Sequence, residues 1–295
     1  MDSRITLGSE NWLDTLDASA LSGGSWQPTL PLSNLLSRQY AKVARSVGLS
    51  QSEATLTINF GKPRTVSLIS PINHGGTLTS RMLVELSEKP DFSTYLHYDV
   101  YDLWPGLFSS PWSLDTLEWE DDSFWLGGFT AEDIEGFRTC PAILLPTPIT
   151  AQYMRLTFID PGNPDRFFKL GRLFVGPTIR PRINYSWGDT LTFEFATAIE
   201  TALSGDEFFD PRRPIRVHRF GLQHLSADEA YGQFLKMVRR QGVHREVFVI
   251  PDPTDLFNGI TRNFVGRLRA PSPLEQVQWE GDGPGLSMPF EIKEL

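Results

Sequence analysis

Two stretches of β-type patterning set the strongest limit on how this chain folds. Leu56, Ile58 and Phe60 alternate with Thr55, Thr57 and Asn59, and Tyr153 to Ile159 is a second strand-forming run. A period of two sends one row of side chains into a core and the other towards solvent, the mark of a strand covered on one face. After a turn at Gly61-Lys62-Pro63, Val66 and Leu68 begin another strand, and Met82, Val84 and Leu86 form a third. Asp160-Pro161-Gly162-Asn163 is a turn, and Phe167 to Val175 supplies a further strand after it. Short β runs divided by Gly and Pro, with no amphipathic helices between them, predict an antiparallel sandwich and not a parallel α/β sheet.

A chain of 295 residues is long enough for two domains. Gly176, Pro177 and Pro181 stop the last strand of the sandwich, which sets the expected division: an N-terminal arm over residues 1–30, a sandwich over 31–180 and a second domain over 181–295. In the arm, Ser22-Gly23-Gly24-Ser25 is a turn, and Trp12 and Trp26 are the packing anchors. The second domain is β-rich with one helix. Its strands are expected around Leu191 to Ala196, Ile215 to Leu222, Glu246 to Pro251, Phe264 to Leu268 and Phe290 to Ile292. The helix spans 226–241: Ser226 and Glu229 have capping-box spacing, Gly242 ends it, and Ala230, Tyr231, Phe234, Leu235 and Val238 form its apolar stripe.

Between the two groups of sandwich strands lies an aromatic and acidic insertion. It carries Trp104, Trp112, Trp119, Phe124 and Trp125, with carboxylates at Asp115, Glu118, Glu120, Asp121 and Asp122. The crowded acids read first as a solvated face. A Ca²⁺ site would supply hard oxygen ligands but lacks the twelve-position loop and its glycine, and a catalytic carboxylate pair would need a fixed separation across a cleft.

Other chemistry is sparse. The histidines at 74, 97, 218, 224 and 244 lack the spacing of a helical zinc pair, and the single Cys140 leaves neither a disulfide framework nor a thiolate metal site. There is no nucleophile elbow, no phosphate-binding loop and no dinucleotide fingerprint, so the chain is expected to be no enzyme and to need no cofactor. A net charge of -9 disfavours general nucleic-acid binding. The one basic run, Arg172, Arg180, Arg182, Arg212, Arg213, Arg216 and Arg219, is broken by Asp206, Glu207 and Asp210 and reads more simply as interface arginines. No apolar run after Met1 or elsewhere approaches membrane-spanning length, which predicts folding in a reducing cytosol without membrane insertion.

The segments Leu32-Ser33-Asn34-Leu35, Val43-Ala44-Arg45-Ser46, Thr57-Ile58-Asn59-Phe60-Gly61 and Arg64-Thr65-Val66 resemble the start of discoidin or galactose-binding-like domains. Tyr153-Met154-Arg155-Leu156 and Leu170-Gly171-Arg172-Leu173-Phe174-Val175-Gly176 are similar to the last two strands of such a domain, and Asn73 fits a polar position of it. The resemblance covers roughly residues 30 to 178, and is especially to versions in tail-tip and baseplate proteins of tailed bacteriophages. The C-terminal pattern, with Ile250-Pro251-Asp252-Pro253 after a helix and a closing Phe290-Glu291-Ile292-Lys293-Glu294, is similar to small β domains of siphophage tail-tip proteins.

The resemblance implies a mainly β protein: a galactose-binding-like jelly-roll sandwich followed by a smaller β-rich domain with one helix. It implies a structural component of a viral tail tip or baseplate that mediates ring or hub assembly through protein–protein contacts, made in the host cytoplasm and carried in the virion. Its partners would be hub, tail-tube or distal tail proteins and further copies of the chain. Trp104, Trp112, Trp119 and Trp125, with Arg180, Arg182, Arg212 and Arg213, are the expected contacts. One alternative is a carbohydrate-binding module that engages a host surface glycan through the loop aromatics. Another is a polysaccharide hydrolase using Asp115, Glu118 or Asp122.

Overall fold

The computed structural model describes residues 3–104, 138–256, 258–280 and 283–295. The fold is mainly β with antiparallel sheets. The chain forms two units: one of Glu10–Thr178 with Pro253–Asn263, the other of Met1–Ser9, Ile179–Asp252 and Phe264–Leu295. The first thirty residues are thus shared between the units, with Thr6–Gly8 as a strand of the second.

The first unit is the sandwich. Its strands run in the order Ala44–Arg45, Lys169–Gly176, Thr55–His74, Ile143–Ile159, Arg81–Ser87, His97–Asp102. The turn expected at Gly61-Lys62-Pro63 does not end a strand, for Thr55–His74 continues through it. Asn59 faces Tyr153 and Arg64 faces Ala151, so residues 60–63 bulge out opposite Gln152, with Gly61 at φ +72°. A bulge bends a strand without breaking it. The strand can therefore pair with Ile143–Ile159 over its first part and with Lys169–Gly176 over its last.

Leu56, Ile58 and Phe60 enter one core with Met82, Leu156 and Leu173. Phe158 stacks on Phe168 at 4.2 Å between ring centres. Each large side chain so buried stabilises the fold by about 1.5–3 kcal/mol.

Residues 10–30 are fastened to this unit through their tryptophans. Trp12 Nε1 donates to the Thr65 carbonyl at 2.8 Å and Trp26 Nε1 to the Thr55 carbonyl at 3.0 Å. Leu21–Ser22 pairs with Ile58 and Thr57, and Gly24 at φ +68° lets the backbone turn where a Cβ would meet the Thr55 carbonyl at 2.2 Å.

In the second unit a sheet runs Thr190–Glu194, Ile215–Leu225, Gly283–Glu294, Phe264–Leu268, Val247–Ile250, Thr6–Gly8, and Glu275–Glu280 also pairs with Gly283–Glu294. Its helix begins with π geometry over Asp228–Phe234 and continues as α over Leu235–Gln241. Glu229 Oε2 accepts from the Ser226 amide and hydroxyl at 3.1 and 2.8 Å, while Ser226 Oγ accepts from the Glu229 amide at 3.3 Å. These are the reciprocal bonds of a capping box. Gly242 ends the helix at φ +53°.

The wide first turn moves the apolar stripe. Ala230, Phe234, Met237 and Val238 are buried, whereas Tyr231 and Leu235, expected on the same stripe, are exposed. An α-helix repeats every 3.6 residues, and the π turn spends extra residues before that repeat begins. Among the described residues no helix is long and apolar enough to cross a membrane.

Candidate functional site

The most exposed apolar feature of the second unit is a two-stranded ribbon. Thr190–Glu194 pairs with Ile215–Arg219, from Thr190 opposite Arg219 to Glu194 opposite Ile215. After residues 195–197 on one side and 211–214 on the other, pairing resumes from Ala198 opposite Asp210 to Thr201 opposite Glu207. The two stretches of connecting residues differ by one, so the ribbon bends there. The Ala202 amide donates to the Asp206 carbonyl at 2.8 Å, and Gly205 at φ +91° closes the tip.

The distal strands Ala198–Thr201 and Glu207–Asp210 form a sheet of their own, and every residue in them is exposed. Ile199 and Phe209 face each other at 59% exposure apiece, Phe208 at 64% stands opposite Glu200, and Phe195 and Leu203 are also open to solvent. β-Branched and aromatic residues favour this extended backbone. Directly opposite residues share a face, so Ile199 and Phe209 lie on one face of the ribbon and Phe208 with Glu200 on the other; an isolated two-stranded hairpin with apolar residues exposed on both faces is marginally stable in water.

The base of the ribbon, at the end away from the tip, borders a cleft of about 390 Å³. Trp187, Arg219, Phe220, Pro271, Pro273 and Pro289 are on its wall. The Trp187 ring is fully exposed. Arg219 donates to Glu291 at 2.9 Å, Arg269 bridges Glu291 and Glu194 at 2.9 and 2.5 Å, and Lys293 reaches Glu194 at 2.6 Å. In that network three cations meet two carboxylates.

The residues expected as contacts do not form one patch. Trp104 is 7% exposed: its Nε1 donates to the Gly76 carbonyl at 3.1 Å and its ring meets His74 edge-on at 5.2 Å, so it builds the sandwich core. Trp112, Trp119 and Trp125, with Asp115, Glu118, Glu120, Asp121 and Asp122, lie outside the described residues. Arg180 is half-buried and Arg182 exposed, and the Arg182 amide donates to Glu229 Oε1 at 2.6 Å. Arg212 is exposed 3.5 Å from Asp210, and Arg213 bonds Glu294 at 2.5 Å.

Nor do the arginines near them in sequence form a basic stripe. Arg172 is buried in the sandwich, where it donates to the Leu35 carbonyl at 2.7 Å and to Asp14 at 2.5 Å. Arg216 is buried against Glu294.

The titration of two buried groups follows from their surroundings. Burial pushes the His74 imidazole down to about 4, against a smaller upward pull from the Asp160 charge. Burial would raise the Glu294 carboxyl, but the hydrogen bonds and charge of Arg216, with Arg213 behind them, outweigh it and hold the group below the usual carboxylate range. Both groups are structural in their contacts. Among the described residues no group of three or more His, Cys, Asp or Glu side chains is placed to hold a metal ion.

The ribbon escaped sequence reasoning, which read Leu191 to Ala196 as one amphipathic strand and left 197–214 without structure. Ser204-Gly205-Asp206, between Ile199 and the Phe208-Phe209 pair, was the available hairpin signal.

No protein-family model matches the chain, and no curated protein does. Solved structures similar to it include galactose-binding-like sandwich domains. The lectin domain of lectinolysin, complexed with Lewis b antigen, is 13% identical over 57% of this chain and 96% of its own, with a TM-score of 0.36. The family 32 carbohydrate-binding module of C. perfringens NanJ, in complex with galactose, is 16% identical over 54% of this chain and 92% of its own, with a TM-score of 0.33. A Streptococcus pneumoniae fucose-binding module is 8% identical over 57% and 94%, with a TM-score of 0.36. Likeness at this level transfers no ligand from those proteins to this chain.

Proposed function

We propose that this protein is a structural subunit of a tailed-bacteriophage tail tip or baseplate, and that it works by assembly and not by catalysis. The observation that carries the assembly part is the ribbon ending in Ile199, Leu203, Phe208 and Phe209, all exposed to solvent. Nothing in a lone hairpin compensates the hydration of four large apolar side chains, whereas burying them against a partner gains ~1.5–3 kcal/mol apiece. The tail setting rests on the sequence resemblance of the sandwich segments. Its partners are hub, tube or distal tail proteins and further copies of this chain, and its place is the virion tail after synthesis in the host cytoplasm. Mass spectrometry of purified tailed particles tests this: the chain should be present in several copies per particle, and its absence from them overturns the reading.

The second reading is a carbohydrate-binding module that engages a host surface glycan. It is favoured by the sandwich unit, since the similar structures named above are described with sugars and not with tails. A glycan array probed with the full chain separates the two. Saturable binding lost in Trp119→Ala or Trp125→Ala favours sugar recognition, and an array without binding favours assembly alone.

A further inference from the structure

We propose that the cleft beside Trp187 is a binding site for a neutral saccharide. Every residue of its wall belongs to the second unit, so neither the sandwich nor the domains similar to it enter.

The strand register builds the site. Pairing of Ile215–Leu225 with Gly283–Glu294 places Arg219 opposite Glu291, Phe220 opposite Phe290 and Gly221 opposite Pro289. Side chains alternate between the faces of a sheet. Phe220 and Phe290 therefore go into the core, where their rings stack at 5.3 Å, and Arg219, Glu291, Gly221 and Pro289 share the outer face. Gly221 leaves a hollow there, since a Cβ on it would meet only Ser186 Oγ, at 3.5 Å. The Ser186 amide and hydroxyl both donate to the Gly221 carbonyl, at 3.0 and 3.2 Å, and so hold the backbone of Trp187 beside that hollow.

The groups around the hollow select the ligand. Arg219 Nε and Nη2 donate to Glu291 Oε1 at 3.0 and 2.9 Å, and Arg269 adds a third bond to the same oxygen at 2.9 Å. Among the described residues Arg219 Nη1 and Glu291 Oε2 take no hydrogen bond, so a fixed ion pair keeps one donor and one acceptor for a ligand. Neighbouring sugar hydroxyls, each able to donate and to accept, match that pair. The negative face of the exposed indole attracts the polarised C–H groups of a pyranose ring.

Other ligands fit less well. The ionisable groups on the wall, Arg219 and Glu291, cancel, and an anion would have to take the guanidinium from Glu291. Proline-rich peptides dock in grooves lined by several aromatic rings. On the described wall Trp187 is the one exposed ring, because Phe220 and Phe290 are buried. A volume of about 390 Å³ is at the small end for a ligand site and suits a mono- or disaccharide.

An array of neutral oligosaccharides built from hexoses and N-acetylhexosamines, probed with the full chain, tests the site. Trp187→Ala removes the ring, and Gly221→Val fills the hollow where the backbone has room for a Cβ. Both variants should keep the wild-type circular dichroism spectrum. The wild-type chain should bind at least one neutral glycan with an affinity that added salt leaves unchanged. Each variant should weaken that binding about thirtyfold or more, the scale of a binding hot spot, while Trp119→Ala and Trp125→Ala leave it as it was. An array without binding, or binding that survives either cleft variant, overturns the proposal. Loss in Trp119→Ala or Trp125→Ala alone overturns it in favour of the sandwich, and a proline-rich peptide that binds where no glycan does overturns it in favour of a peptide site.

Discussion

Arg216 and Glu294 form a doubly bonded ion pair inside the second unit: Nε reaches Oε2 and Nη2 reaches Oε1, each at 2.9 Å, with both side chains at most 2% exposed. The Arg216 amide adds a bond to Oε2 at 3.1 Å and Arg213 one to Oε1. This pair ties the strand that leads out of the ribbon to the last strand of the chain. Glu294→Ala leaves Arg216 buried without its counter-charge and should cost about 3–5 kcal/mol in urea unfolding. Replacing both residues by Met should recover most of that loss, because the desolvation of two ions disappears with them.

Stability should fall on mild acidification, because burial lowers both His74 and His97, and His74 is the more deeply shifted of the two. Its folded value is about 4 and its ordinary value 6.5, so between these the unfolded chain binds the extra proton. The contribution is complete above pH 6.5 and is lost as pH falls towards 4, at about 1.4 kcal/mol per pH unit and about 3 kcal/mol in all. His74→Gln should flatten the slope of unfolding free energy over that range. Glu294 acts lower: its depressed folded value gives stability above the ordinary carboxylate range that is lost as pH falls through the folded value.

The capping box makes a smaller, local prediction. Ser226→Ala removes the hydroxyl that accepts from the Glu229 amide and donates to its carboxylate, and should cost about 1 kcal/mol, read as a lowered thermal midpoint. Ser226→Thr, which keeps the hydroxyl, should stay close to the wild type.

In the sandwich, Arg172→Lys should behave as a damaging change. The guanidinium spans the Leu35 carbonyl and Asp14 with separate nitrogens, and a single ammonium cannot hold both. A loss of about 1.5–3 kcal/mol is expected, as for a hydrogen bond to a charged group, measured by denaturant midpoint at unchanged slope.

Much of this architecture was legible in the chain. The alternation of Leu56, Ile58 and Phe60 and the run from Tyr153 have the period of half-buried strands, and Ser226 with Glu229 marked the helix start. What escaped was non-local. Gly61-Lys62-Pro63 has the residues of a turn, but pairing with two neighbouring strands carries Thr55–His74 through it as a bulge. Phe208 and Phe209 look like core residues in sequence, because apolar character says nothing about whether a neighbouring layer exists to cover it. The arginine run dissolved for the same reason: Arg172 and Arg216 are adjacent to exposed arginines along the chain, yet each is buried with its own acceptors.

The central claim is that the apolar tip of the ribbon is an assembly surface, and its most direct measurement is incorporation of a tip variant into tailed particles. The Phe208→Asp, Phe209→Asp chain, supplied in place of the wild type, should fold with an unchanged thermal midpoint and be missing from purified particles by quantitative mass spectrometry. Incorporation at the wild-type copy number would contradict the account.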